Sequence, residues 1–313
     1  MRSLTPELTR PQAMNRDIQH QSRFTALLFL NAVVLLGGMA SSSALPSDMD
    51  PSIPSDNVAV TMPVSFDDLT ALPSGGTAPQ SFAYGQAAQQ SLLRFPPPTI
   101  PRGTLLIIHG GCWSNAYDRQ HARPMARALA HAGYDVWLAE YRRVGDPGGG
   151  WPGTLDDIAR AIQHVATLSG EQPWLIGHSA GGHLALLAAT DPTLPLKGVL
   201  ALAAITNLAT YARQEGSCPS MVAEFLGGPP ESHPDRYTLA TVHDKTFLKP
   251  IGLILGEADA IVGPDQLTGF AETNTQIIEK SGHFDLIHPA TAAFDQVLKA
   301  LENLTQTGRQ RGE

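Results

Sequence analysis

The chain is poor in cysteine, in basic residues and in charge of any kind. It holds two cysteines in 313 residues, Cys112 and Cys218, so one disulfide at most. Charged residues make up 16% against 42% hydrophobic, which supports a sizeable core and excludes global disorder. Lys and Arg number 21 against 29 Asp and Glu, for a formal net charge of -8. Past the first 44 residues they form no cluster, so the electrostatic footprint of a nucleic-acid partner is missing. No His/Cys set has zinc-like spacing, and neither G-x-G-x-x-G nor a P-loop occurs. The sequence therefore predicts no metal and no cofactor. No internal repeat is visible.

The first 44 residues read as an export signal. Arg16 and Arg23 form a positive lead, Phe24 to Leu36 is apolar but for Thr25 and Asn31, and small residues from Gly37 to Ala44 offer cleavage after Ala40 or Ala44. The apolar run is short for a transmembrane helix; an uncleaved anchor is the alternative, and Met14 is a second candidate start. A periplasmic or secreted chain is the expectation. Two free thiols are the default reading of Cys112 and Cys218, although export would permit their disulfide. Residues 45–79, rich in Pro, Ser, Asp and Gly, read as a linker or loosely packed lead-in. Residues 80–304 then suit one large domain, with 305–313 as a tail.

That domain alternates strands and helices. A hairpin is expected from Ser81–Tyr84 and Ser91–Phe95. Apolar runs at Thr104–Ile108, Tyr134–Ala139, Pro173–Ile176, Gly198–Leu202 and Ile251–Leu255 read as buried strands, with a last strand at Thr275–Glu279. Helices are expected over Arg123–Ala132, Thr154–Leu168 with Thr154 as N-cap, His183–Ala189 and Pro289–Leu304. Such alternation predicts an α/β fold with a doubly wound, mostly parallel sheet. The rhythm breaks between Asn207 and Pro250, where Pro219, Gly227-Gly228-Pro229-Pro230 and Pro234 suggest a short cap over the carboxyl ends of the strands.

The most specific stretch is Gly177-His178-Ser179-Ala180-Gly181-Gly182, between an apolar strand and a helix-forming run. Strand, sharp turn and helix are the context in which G-x-S-x-G reads as a nucleophile elbow. A serine hydroxyl needs a base, and the base needs a carboxylate behind it. In the elbow context the expected chain order is Ser, then Asp or Glu, then His. Asp259 and His283 follow two successive strands, which makes Ser179, Asp259 and His283 the candidate catalytic set. Glu257, Asp265 and Asp285 compete for the acid and His288 for the base; His178 and His183 read as structural. The backbone N–H of Ala180 and that of Gly111 or Cys112, in His109-Gly110-Gly111-Cys112-Trp113, are candidate oxyanion donors. Trp113 and Trp151 are candidates for lining a substrate pocket.

These motifs resemble the α/β-hydrolase family: His109-Gly110-Gly111, the elbow at 177–181, Asp259 and His283. More narrowly, His-Gly-Gly-x-Trp, Gly-His-Ser-Ala-Gly-Gly-His-Leu, Gly-His-Phe, Tyr141-Arg142-Arg143 and Trp151-Pro152 are similar to an esterase branch. That branch holds hormone-sensitive-lipase-like enzymes, kynurenine formamidases and feruloyl-esterase-like (BD-FAE-like) domains. The resemblance spans about residues 80–301 and departs at Cys112, where formamidases tend to carry an aromatic residue and lipase-like members a third Gly. It implies a serine hydrolase acting on a small-molecule carboxylic ester. Arylformamide hydrolysis is the alternative within enzymes, and an inactive hydrolase-fold binding module the alternative outside them.

Overall fold

The computed structural model of the chain describes residues 63–73 and 77–310. The export signal and cleavage sites lie outside the described residues, as does most of the lead-in. Among the described residues no helix is long and apolar enough to cross a membrane.

An eight-stranded sheet forms the centre. β1 (Gln80–Ala83) and β2 (Ser91–Phe95) are the hairpin, followed by β3 (Thr104–Ile108), β4 (Asp135–Glu140), β5 (Trp174–His178), β6 (Gly198–Leu202), β7 (Ile251–Gly256) and β8 (Thr275–Ile278). Their spatial order is β1-β2-β4-β3-β5-β6-β7-β8. β1–β2 and β2–β4 pair antiparallel and all later pairs are parallel. The apolar runs fall in the middle because helices cover both faces there: β3 to β6 are buried at every position. β8, at the edge, is buried only at Ile278.

The covering helices are α2 (Arg123–His131), α3 (Gly153–Ser169), α4 (Ala180–Ala189) and α8 (Ala292–Gln310). All ten residues of α4 are buried, which is why it shows no polar face in sequence. α3 starts one residue before Thr154, after an N-cap at Pro152 without a side-chain cap bond. Thr154 is therefore not the N-cap. Its hydroxyl donates to the carbonyl of Arg142 at 2.7 Å and accepts the N–H of Gly150 at 3.0 Å, tying the approach loop to the first turn.

The stretch expected to form a cap folds as three short helices, α5 (Leu208–Tyr211), α6 (Ser217–Leu226) and α7 (Pro234–Ala240). The described part of the lead-in is more ordered than its composition suggests. Residues 66–70 form a helix, α1 (Phe66–Thr70), closed by a reciprocal Ser65–Asp68 capping box, with Val64 and Leu69 buried.

Candidate active site

β5 runs straight into α4, with Ser179 alone in the turn at φ 55°, ψ -122°. A non-glycine residue there is strained, and the surroundings hold it: its N–H donates to Leu202 O at 2.8 Å and its carbonyl accepts from His183 N–H at 3.1 Å. The flanking glycines allow the close passage. A Cβ on Gly177 would lie 2.3 Å from the carbonyl oxygen of Gly181, and one on Gly181 only 2.2 Å from that of Ile108. Ala180 opens α4, so its N–H has no intrahelical partner and lies at the positive end of the helix.

Asp259 and His283 follow β7 and β8 and meet. His283 Nδ1–H donates to Asp259 Oδ2 at 2.7 Å, with both side chains nearly buried. The other carboxylate oxygen accepts the N–H groups of Ile261 and Val262, each at 2.8 Å. With Nδ1 committed, Nε2 is the nitrogen left for a proton from outside the pair. The residue before the candidate nucleophile fixes the candidate base from below: His178 Nε2–H donates to the His283 carbonyl at 3.0 Å, and the two rings lie 4.5 Å apart. Burial, then the neighbouring His283 imidazole, pushes protonation of His178 far below the usual range. Its Nδ1 is buried without a hydrogen-bond partner among the described residues, so His178 stays neutral.

The competitors are engaged elsewhere. Glu257 accepts from Lys280 N–H, Asp265 from the side chains of Gln214 and Gln266, and Asp285 from the N–H groups of Val64 and Gly282. His288 accepts the N–H of Ala290 on Nδ1 at 3.3 Å. Changing His288 to Ala should therefore cost about 1 kcal/mol of stability and leave turnover nearly intact. Parallel thermal melts and ester assays check this, and a collapse of turnover would make His288 the base.

The loop after β3 is a tight turn. Gly111, Cys112 and Trp113 have φ of 110°, 52° and 58°, and Ser114 N–H donates to Gly111 O at 2.9 Å. Two successive positive φ values at non-glycine residues are costly and need external support. Trp113 supplies much of it. It is fully buried, its ring stacks on Phe225 at 5.1 Å, and its Nε1–H donates to His183 Nδ1 at 3.3 Å. That burial corrects the pocket expectation for Trp113, because a side chain with no exposed surface packs the loop and lines no cleft. Trp151 is half-buried beside the cap, edge-on to Phe225 at 6.2 Å.

Beneath the loop, His109 is held on both ring nitrogens, by Gly110 O at 2.7 Å and Glu140 Oε1 at 3.0 Å. Tyr141 stacks on it at 4.5 Å and donates its hydroxyl to His109 O at 2.6 Å. Glu140 also pairs with Arg143 at 2.8 Å and accepts the N–H of Arg119. Burial pushes the Glu140 carboxyl up, but the His109 hydrogen bond and the charges of His109 and Arg143 outweigh it and hold it at about 2.

Cys112 and Cys218 form a disulfide that joins this loop to α6. The default of two free thiols is thus corrected: burial of Phe225 and Cys218 brings α6 down onto the turn. The bond closes a loop of 106 residues. Replacing both cysteines by serine should lower stability by about 2–4 kcal/mol. Guanidinium unfolding of the oxidised wild type against the double variant measures this, and equal midpoints would refute it.

The BD-FAE family model matches residues 97–273, more than half of the sequence. The chain belongs to the BD-FAE family. Its fold is the α/β-hydrolase fold, shared with esterase B from Lactobacillus rhamnosis (TM-score 0.61, 22% identity, 74% of this chain and 85% of that one). It is likewise shared with an esterase/lipase from an uncultured bacterium (TM-score 0.59, 18% identity, 80% and 94%). Two curated relatives share part of the sequence. LipM of Mycobacterium tuberculosis, named a probable carboxylic ester hydrolase, is 33% identical over 36% of this chain. Kynurenine formamidase avaC of Aspergillus versicolor is 33% identical over 30% of it. The matched stretch spans 27% and 38% of those relatives' lengths.

In this BD-FAE member the family span takes in the oxyanion-loop candidates, Ser179, Ala180 and Asp259, while His283 lies beyond it. Sequence reasoning did not single out Glu140 or assign His178 and Asp285 their bonds. Glu140 had a faint signal, a charged residue closing a buried strand just before Tyr141-Arg142-Arg143. Among the described residues no His, Cys, Asp and Glu side chains group as metal ligands. A groove of about 1880 Å³ lies elsewhere, lined by Gly103, Lys197 and Pro250 at the amino ends of β3, β6 and β7. Catalytic residues in such sheets sit at the carboxyl ends, so the groove is not the candidate site.

Proposed function

We propose that the chain is a serine hydrolase that cleaves carboxylic esters through an acyl-enzyme intermediate. The observation that carries this reading is the 2.7 Å His283–Asp259 hydrogen bond beside an elbow that holds Ser179 at φ 55°. In the first half-reaction His283 Nε2 takes the proton of the Ser179 hydroxyl as its oxygen bonds to the ester carbonyl carbon. The resulting oxyanion is met by the N–H of Ala180 and that of Gly111 or Cys112. His283 then returns the proton to the departing alcohol as the carbon–oxygen bond breaks. Water repeats the sequence on the acyl-enzyme and releases the acid. Asp259 holds the imidazole tautomer and stabilises its charged form throughout.

A formamide reading has one observation in its favour, the likeness to a relative named kynurenine formamidase. Incubation with a fluorophosphonate probe, followed by assays on acetyl, butyryl, feruloyl and N-formylkynurenine substrates, tests both readings. Labelling at Ser179 with turnover of esters supports the proposal. Turnover of the formamide alone moves the activity to the second reading, and no labelling of Ser179 removes the mechanism. The same proposal places the mature chain outside the cytoplasm, where the disulfide can persist; recovery of the processed chain only in the cytosolic fraction would contradict it.

A further inference from the structure

Residues 63–69 lie upstream of β1 and of the family span, yet they touch both halves of the candidate site. Phe66 makes most of the contact. Its ring centroid is 5.6 Å from that of Phe284, 5.5 Å from Tyr117 and 5.6 Å from His121. Phe284 follows the candidate base and stands edge-on to the His283 imidazole at 5.0 Å. Tyr117 abuts the oxyanion loop so closely that a Cβ on Gly111 would lie 2.5 Å from the Tyr117 Cβ. His121 packs edge-on against His109 at 5.5 Å.

A second contact fixes the same segment. The backbone N–H of Val64 donates to Asp285 Oδ2 at 2.9 Å, and that oxygen also accepts the N–H of Gly282 at 3.0 Å. Asp285 is buried, and a Cβ on Gly282 would lie 2.7 Å from the Pro63 Cβ. The turn carrying His283 is thus clamped between the β-sheet and this strap. α1 cannot drift, because its capping box is closed and Leu69 is fully buried.

We propose that the strap Pro63–Leu69 is a positioning element of the active site, with Phe66 and the Val64–Asp285 clasp setting the base loop against the oxyanion loop. The proposal rests on the serine-hydrolase reading above for its catalytic consequence. Proton transfer needs His283 Nε2 within hydrogen-bond reach of the hydroxyl, and misplacement by about 1 Å costs about a hundredfold. His178 and Asp259 hold the backbone and ring of His283 from inside the fold. The strap holds its neighbours from outside.

The test uses the full chain with Phe66→Ala, Phe66→Leu, Asp285→Ala and Asp285→Asn. The readouts are kcat and KM on p-nitrophenyl acetate, and hydrogen exchange of the peptide covering 280–288. Both alanine variants should lose about tenfold or more in kcat with KM within about twofold, and exchange of that peptide should quicken. Asp285→Asn keeps an oxygen for the two N–H groups, and Phe66→Leu keeps apolar bulk, so each should recover most of the loss. They also keep the test decisive if an alanine variant fails to fold, since equal loss in the conservative variants would refute the proposal. Unchanged kcat, a rise in KM alone, a gain in activity, or a fall in kcat without faster exchange each overturns it. Exchange is read without substrate, so a wild type that turns over no ester would refute the hydrolase reading and leave the strap to be judged by exchange alone.

Discussion

Alanine at position 179 should reduce kcat/KM on p-nitrophenyl acetate by roughly 10⁴- to 10⁶-fold, the range seen when a nucleophilic serine is removed. Stability should barely change. The bonds that hold Ser179 are made by its backbone, to Leu202 and His183, and they survive the substitution. Ser179→Gly separates chemistry from strain. It should be equally inactive, yet more stable by about 1 kcal/mol or more, because glycine accepts φ 55° without the steric cost. Steady-state kinetics with calorimetry on both variants check the pair. Retention of more than about a hundredth of wild-type activity in either would mean that another group attacks the substrate.

The candidate catalytic motifs were legible because each depends on local chain geometry. The elbow announces itself through glycines that a strand-to-helix turn requires, and the strands Thr104–Ile108 and Gly198–Leu202 match the structure residue for residue. Chain order brought out Asp259 and His283 because both follow strands of one sheet, and the structure joins them. What stayed hidden depends on contacts between distant residues. Asp285 resembles any loop carboxylate until Val64, 221 positions away, is placed against it. Glu140 reads as the end of a strand until His109, Arg119 and Arg143 converge on it. Trp113 reads as a pocket wall by residue type, and only the packing of Phe225 against it shows it buried. Thr154 fits an N-cap by residue type, but Arg142 O had claimed its hydroxyl.

These hidden contacts share one physical task. Ser179, Cys112 and Trp113 all hold positive φ without being glycine. Backbone strain at the candidate site persists because buried partners outside the motifs over-determine it. Glu140 and His109 brace the candidate oxyanion loop from below, the disulfide and Phe225 brace it from α6, and the strap packs on the side of the candidate base. Local rules therefore pick out candidate reacting groups, whereas their placement is a property of the whole domain.

Several of the bracing groups are histidines, and this predicts an acid-labile fold. His121 is pushed down to about 3 by burial and by the charge of neighbouring His109. His183 is pushed down to about 4 by burial, and His178 well below its ordinary range by burial and His283. In the unfolded chain each would titrate near 6.5. The unfolded state then binds more protons below that pH, so stability falls as pH drops. Each such group adds on the order of 1 kcal/mol per pH unit to the fall below 6.5 until the pH reaches its own depressed value, and the three act in the same direction. Glu140, held at about 2, adds to the loss only as pH falls below its unfolded value of 4.5. A domain with the usual 5–15 kcal/mol would therefore unfold in mild acid. Guanidinium midpoints measured from pH 7.5 to 4.5 should fall steeply below pH 6.5, and His121→Phe should flatten that fall by about a third. A midpoint that stays level across the window would show that the three imidazoles accept protons in place, and that the loops they brace are looser than their burial requires.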